Sequence, residues 1–556
     1  MPKKEDINKM DKPSTAKAKI TAFLSLFHTK AVDITRLYIL PYKWEYLFGG
    51  ILVLLILFSE MYYDFFATFR NGINFWYALS EGHPLSFYSY AASIPGATPN
   101  RTILCGAAYD FTIYVFFAVW NLPAWLYERL SGNYAESCFL FLAWGKLMLP
   151  FVSIITARGM KKILEFITGD DQDTAAMLYA YSFSGILIMS AYFIGQYDII
   201  GVMFAIYGVF YFLKKDYKRF YLYFGAAISC KYFALLLFVC LVLLYEKRVL
   251  YIIRDIFLGC YLVIIEKLLF SFGRSYDSIH AAAEQTAVTV SQTTTAAAPA
   301  GLTGEIVGTN LLASRFQYLF HLKAFMGVDV ISIFMFLLAL IWVYCYLQKR
   351  EESYQFYYKV IYIAFCVNTV FIIYTASTPY WAVLIVPYMI LMIYCRSENR
   401  KLNLLLEIIA TGSFIVWHFA REPYLFPSEN CEGMLLYYLL GKPYFYCQGL
   451  SHAMSYLFEN SILSTPINML RSVYYTCILI LLIINFPAFQ QNRREYLHVP
   501  EEVGMRGVLA FRTICMTGVL LLPLVGYVIQ VICSGYLSNL QTDSQILKEV
   551  VPFFLQ

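Results

Sequence analysis

Glu60 and Asp64 stand four residues apart where a long apolar run ends, in SEMYYDFFATFRNGINFWYALSEGHPLSFYSY, Ser59 to Tyr90. On a continued helix this spacing puts both carboxylates on one face. Charged groups at membrane depth are costly, so carboxylates at the mouth of an apolar helix are functional candidates. Single polar residues recur at the ends of later apolar runs: Asp110, Gln196 and Asp198, Lys231, Arg274, Arg315, His321, His418 and Arg421. Each alone has an ordinary explanation, an Asp as a helix cap or a Lys as a snorkelling side chain. Together they outline a polar cavity holding both carboxylates and cations. That mixture suits a phosphate-bearing substrate, in which cations hold the phosphate and a carboxylate takes a proton from an attacking hydroxyl.

The elements that must position these groups follow from composition. Of 556 residues, 60% are hydrophobic and only 14% charged, against about a quarter charged in soluble domains. The expected fold class is therefore an all-α polytopic membrane protein. Its 48 Tyr and 46 Phe suit many membrane–water interfaces. The net charge of +5 comes from short basic clusters between apolar runs, which report topology and not a nucleic-acid surface. Residues 1–20 are polar and lysine-rich and show no cleavable signal peptide, so the first apolar helix is expected to act as its own signal. The 13 cysteines lie mostly inside apolar runs, with no CxxC and no HExxH, and read as small buried hydrophobes. Cys431 and Cys447 fall in one expected outside loop, where a disulfide between them is open, as is one with Cys105. No GxxxxGK[ST] motif marks an ATP-driven pump, and the short inside loops leave no domain for a nucleotide-sugar transferase.

Residues 1–45 read as a cytoplasmic tail and an amphipathic interfacial helix with Lys17, Lys19, Lys30 and Arg36. Residues 46–272 read as a transmembrane module with a long first outside loop, 67–136. Within that loop Phe111 to Leu130 is long enough to span, yet Asn121 and Pro123 in its middle, and the basic ARGMKK after the next run, make it a surface helix. Phe220 to Leu244 has basic clusters at both ends and Ser229-Cys230-Lys231 in its middle, so it is expected to break into two half-helices at Lys231. Val249 to Phe270 reads as one crossing. Residues 273–325 form a large, partly low-complexity outside loop, and 326–556 a second transmembrane module with an outside loop at 420–466. The hydropathy and positive-inside rules give about thirteen crossings, with the N-terminus cytoplasmic and the C-terminus outside.

This architecture resembles the GT-C superfamily of polytopic glycosyltransferases that use polyprenyl-phosphate sugars. The resemblance lies in an acidic exit from the first span, Asp64, followed by a long outside loop with surface helices. It lies also in GHPLSFYSY (Gly82 to Tyr90), in GQYD (Gly195 to Asp198) ahead of AAISCKYFALLLFVCLVLLYEKR (Ala226 to Arg248), and in STPYWAVLIVP (Ser377 to Pro387). These are similar to segments of the bacterial mannosyl- and glucosyltransferase-like branch, and the likeness covers most of residues 45–400. It implies a bacterial plasma-membrane enzyme with its active site outside, moving a hexose by inversion from a polyprenyl-phosphate donor to a glycan, lipid or protein acceptor. Asp64 would be the catalytic carboxylate; Asp110, Asp198 and Glu60 would assist with acceptor or metal. Lys231, Arg274, Arg315 and His321 would hold the donor phosphate, and Trp76, Tyr88 and Tyr90 would stack on sugar. A divalent metal, Mg or Mn, is left open by the resemblance. Beside these roles stand plainer ones: interface packing for the aromatics, and a buried ion pair with Asp198 for Lys231. Two rival functions remain. A flippase or transporter of a lipid-linked saccharide predicts internal repeats and midplane charges; a glycan polymerase or ligase places arginines in a late loop, where Arg421 stands.

Overall fold

The computed structural model describes residues 32–33, 35–98, 101–107, 109–169, 173–271, 332–375, 379–396, 398–421, 431–433, 464–487, 507–521 and 525. Among the described residues the fold is all-α apart from two two-stranded sheets. Five helices among the described residues are long and apolar enough to cross a membrane: Thr35–Phe58, Phe139–Thr168, Thr174–Phe193, Tyr354–Tyr374 and Thr465–Ile484. Six shorter apolar helices accompany them. Arg274, Arg315, His321 and Cys447 lie outside the described residues, as does most of the amphipathic N-terminal segment.

Helix α1 (Lys43–Ser59) exposes Leu47, Phe48, Ile51, Leu54 and Leu55, as a peripheral helix facing acyl chains does. It ends earlier than its apolar run suggests. Strand β1 (Glu60–Tyr62) follows, and helix α2 (Tyr63–Ser80) begins anew. Glu60 and Asp64 therefore do not share a helical face. The reason is tertiary: β1 pairs antiparallel with Cys431–Gly433, Glu60 opposite Gly433 and Tyr62 opposite Cys431. A partner some 370 positions away leaves no local trace, and it overrides helical continuity.

Beyond α2 come helix α3 (Phe87–Ser93) and a hairpin of β2 (Pro95–Thr98) and β3 (Arg101–Leu104). The run from Phe111 folds as two 10-residue helices, α4 (Phe111–Trp120) and α5 (Leu122–Ser131). The break is at Asn121, just ahead of Pro123. Each half is about 15 Å long, half the roughly 30 Å of a hydrocarbon core. Helix α6 (Phe139–Thr168) runs 30 residues and stops at Gly169, whose φ of 71° closes it. Trp120 on α4 and Trp144 on α6 stack at 4.8 Å, and each indole donates to the other's backbone carbonyl at 2.8 Å.

The segment from α7 (Thr174–Ser182) through the π-helical turn Ile188–Phe193 is almost wholly buried and forms the centre of the bundle. Next comes a helical hairpin of α8 (Asp198–Leu213) and α9 (Tyr217–Cys230), of 16 and 14 residues. Its turn uses Lys215 at φ 60°, and the Asp216 carboxylate accepts from the Arg219 N–H. The arms are nearly equal, so the chain returns to the level at which α8 began. There it breaks at Lys231 before α10 (Phe233–Tyr245). The interruption at Ser229-Cys230-Lys231 thus has its physical counterpart, an extended Lys231 (φ −155°, ψ 126°) between two short helices.

Val249 to Phe270 differs from expectation. It is divided into α11 (Val249–Gly259) and α12 (Tyr261–Ser271), each of 11 residues. Gly259 packs against Phe238, where an added Cβ would sit 2.2 Å from the ring. The remaining elements are α13 (Ile333–Leu347), α14 (Tyr354–Tyr374), α15 (Val386–Tyr394), α16 (Arg400–Arg421), α17 (Ser464–Ile484) and α18 (Gly507–Leu521). Glu407 on α16 and Arg512 on α18 form a fully buried pair, with Nε to Oε2 at 2.7 Å.

Candidate active site

The site is built where three chain interruptions meet: the start of α2, the turn before α8 and the break between α9 and α10. In the turn, Gly195 adopts φ 84°, a conformation that a side chain opposes. A Cβ there would press on the Phe65 Cβ at 3.3 Å. Glycine thus lets Gln196, Tyr197 and Asp198 close against the first turn of α2. Asp198 opens α8, where the helix dipole favours a negative charge. Its carboxylate is buried, and the Lys231 ammonium meets Oδ1 at 2.9 Å.

Lys231 is also ringed by aromatic faces, with Nζ 4.5 Å from the Tyr109 ring centre and 5.4 Å from Tyr197. Such faces attract a desolvated cation. The Tyr109 hydroxyl donates to Asp64 Oδ2 at 2.5 Å. Tyr109 therefore joins the carboxylate at the α1 exit to the cation at the helix break. Asp64 lies beyond Thr35–Phe58, the first of the described helices that is long and apolar enough to span. Burial pushes its carboxyl above the usual range, while the Tyr109 hydrogen bond and the Lys231 charge draw it down.

Next to this centre is a second one. Asp110 is buried, and its Oδ1 accepts from the Lys267 ammonium at 2.8 Å and the Tyr232 hydroxyl at 2.9 Å. Glu266 accepts from the Phe111 N–H and, at 2.9 Å, from the Tyr88 hydroxyl. Glu266 thus caps α4 from another helix, while Asp110, at the N-cap position, makes no cap bond. The two centres are stitched by neighbours in sequence: Tyr109 with Asp110, and Lys231 with Tyr232.

Beside the Lys231–Asp198 pair lies a small, mostly apolar cavity. Helix α8 lines it with Gly201, Val202 and Ala205, spaced three and four so as to share the face of Asp198. Leu237 and Leu384 continue the apolar wall, and Asn368 and Tyr388 add polar edges.

Helix α2 is anchored by Arg70. Its Nη1 meets Glu128 Oε1 at 2.7 Å and Glu136 Oε1 at 3.2 Å, and its Nε donates to Asn74 at 2.8 Å. All these side chains are buried. Burial pushes Glu136 up to about 7; Arg70 draws it down and Glu128 pushes it up. Gly96 of β2 allows the close approach, since a Cβ there would lie 2.7 Å from Arg70 Cδ.

The structure brings together Asp64, Asp198 and Lys231, with Asp110 adjoining. The Glu60 side chain, like Arg274, Arg315 and His321, lies outside the described residues. The three candidate stacking rings are engaged by the protein itself. The Trp76 indole donates to the Ala118 carbonyl at 2.7 Å, Tyr88 bonds Glu266, and Tyr90 stacks on His83 at 4.7 Å. Tyr109, Glu266 and Lys267 were missed by sequence reasoning. Two adjacent charges inside the apolar run YLVIIEKLLF were the available signal for the last two. Tyr109 carries none.

Among the described residues no group of three His, Cys, Asp or Glu side chains is arranged to hold a metal ion. Asp64 and Asp198 both face the Lys231 ammonium, so a divalent cation between them would sit against a fixed positive charge. No protein-family model matches the chain, and no curated protein matches it.

Proposed function

We propose that the chain is an inverting membrane glycosyltransferase that moves a hexose from a polyprenyl-phosphate donor to an extracytoplasmic glycan, lipid or protein acceptor. The observation that carries this reading is the Asp64–Tyr109–Lys231–Asp198 arrangement at the head of an apolar cavity. It couples a proton acceptor and a cation beside a small, mostly apolar pocket. In the reaction, the Asp64 carboxylate accepts the proton of an acceptor hydroxyl. The hydroxyl oxygen bonds to C1 of the sugar as the bond from C1 to the phosphate oxygen breaks. Polyprenyl phosphate leaves, and Lys231 balances the charge that develops on it. One displacement inverts C1 and needs no covalent nucleophile on the protein.

In this reading the chain crosses about thirteen times, with ten crossings from the long and shorter apolar helices and the rest from α9, α11–α12 and α16; the N-terminus is cytoplasmic, the site outside and the chain in a bacterial plasma membrane. The α4–α5 pair lies at the outer surface, supported by its break at Asn121 and by the Trp120–Trp144 pair, since Trp favours membrane interfaces.

One observation favours a second reading. The interrupted α9–α10 pair with an ion pair at its break also suits a flippase of lipid-linked saccharides. The glycan polymerase reading leans on Arg421, whose side chain lies outside the described residues. Purified protein incubated with several polyprenyl-phosphate hexoses separates the transferase from the flippase. Transfer with release of free polyprenyl phosphate, lost in Asp64→Asn, is the expected result. Movement of intact donor across vesicles without release, unchanged in Asp64→Asn, would overturn the enzyme reading.

A further inference from the structure

Among the described residues, five ion pairs between different elements have a buried carboxylate, and they divide by cation. In the three arginine pairs, Arg70 with Glu128, Arg70 with Glu136 and Arg512 with Glu407, the guanidinium is buried as well, Arg70 at 1% and Arg512 at 0% exposure. Arg70 and Arg512 each hold further oxygens besides their carboxylates. These are internal struts. The two lysine pairs are open on one side. Lys231 is 14% exposed over a fully buried Asp198, and Lys267 is 30% exposed over Asp110 at 2%. An ammonium has three donors. Among the described residues each lysine meets one oxygen, that of its aspartate. Lys267 therefore presents an unused, outward-facing cationic surface held in position by a carboxylate beneath, whereas Lys231 also lies against the Tyr109, Tyr197 and Phe233 rings.

We propose that Lys267 is a second anion-binding subsite, adjoining the Lys231 subsite, and that it receives a phosphate group. The two subsites are coupled through Asp110, whose Oδ1 accepts from both Lys267 and Tyr232, the residue after Lys231. Tyr232 fixes the orientation of that carboxylate, so Lys267 is presented at a set place and not on a free arm. This inference rests on the proposed location of the reaction beside Lys231, and it adds that the substrates together carry two anionic groups, one on each lysine. The second phosphate belongs to a lipid headgroup or to a free phosphate ester; both offer the same oxygens.

The test uses the full chain in lipid nanodiscs and reads binding, not transfer. An amine-reactive acyl ester labels lysines, and mass spectrometry follows each site at matched ionic strength with chloride, inorganic phosphate or decyl phosphate. Phosphate is expected to slow Lys267 labelling about tenfold at saturation while leaving Lys162, on another helix, unchanged. Slowing by decyl phosphate alone identifies a lipid headgroup, and slowing by both identifies any phosphate ester. Asp110→Asn removes the competing carboxylate and should lower the phosphate concentration needed for protection; a merely structural pair predicts no protection in either protein. Equal labelling in phosphate and chloride, with the wild-type fold intact, overturns the second subsite and leaves the glycosyl-transfer proposal standing. Protection without any sugar transfer does the reverse.

Discussion

Replacing Lys231 by Met separates what this cation does for the fold from what it does for a substrate. In the native protein its ammonium sits 2.9 Å from Asp198, whose side chain has no exposed surface. Removing one partner of such a pair strands the other and costs about 3–5 kcal/mol. Asp198→Asn alone strands the lysine less severely, because Lys231 is partly exposed and lies against Tyr109 and Tyr197. Removing both charges should restore most of the stability, since a neutral, well-packed pair is often no worse than a buried ionic one. The coupling in this double-mutant cycle is therefore expected to be about 3 kcal/mol. Binding should behave differently. A charge-assisted contact to phosphate contributes about 1.5–3 kcal/mol, so Lys231→Met should weaken donor binding roughly ten- to a hundredfold. The double variant should recover none of it. Unfolding in mixed micelles titrated with dodecyl sulfate gives the stability cycle, and saturation with polyprenyl-phosphate hexose gives the binding. A single variant as stable as the native chain would refute the buried pair. Native donor affinity in the double variant would refute the phosphate role.

Three further expectations concern the surroundings. As the proposed general base Asp64 works only when ionised, and its carboxyl is held above the usual range. Transfer should thus fall on acidification at higher pH than an ordinary aspartate allows, and Tyr109→Phe, which removes the 2.5 Å hydrogen bond to the carboxylate, should move that limb further toward alkaline pH in a pH–rate profile. Arg70→Met leaves Glu128 and Glu136 facing each other in a buried site and should cost about 3–5 kcal/mol; adding Glu136→Gln should return a measurable part of the thermal midpoint. Cysteines placed at Lys161 and Leu130 should label from opposite sides of sealed vesicles, with Leu130 outside; labelling from one side would overturn the surface placement of α4 and α5.

Much of the site was legible because charged residues are rare in apolar sequence and stand out there. Lys231 and Asp198 were visible as candidates, and so was their pairing. The apolar stretch between GQYD and SCKYF has room for one helix out and one back, which returns the chain to its starting level. The break at Lys231 followed from basic clusters at both ends of a run too short for two spans. The β1 strand was not legible, because its cause is a segment far along the chain. Tyr109 was hidden for another reason: one tyrosine among 48 announces nothing until its hydroxyl is seen on Asp64. Glu266 and Lys267 were visible as charges, but reading Val249 to Phe270 as a plain crossing passed over them. The kink at Cys260 and the capping of α4 by Glu266 depend on contacts between helices, which periodicity does not encode.

The α8–α9 hairpin also sets how this chain tolerates change in length. Its turn at Lys214–Asp216 can lengthen, because the added residues hang at the end away from Asp198 and Lys231. Its arms cannot. One residue inserted in α8 turns everything beyond it by about 100° and shifts it by about 1.5 Å. Asp198 would then face away from Lys231, and Gly201, Val202 and Ala205 would leave the cavity wall. The meeting of carboxylate and ammonium is thus fixed by counting: an integral number of residues up one helix and down the next. Descendants of this sequence are free to vary in their loops, while insertions and deletions within 198–230 should be confined to the three residues of the turn.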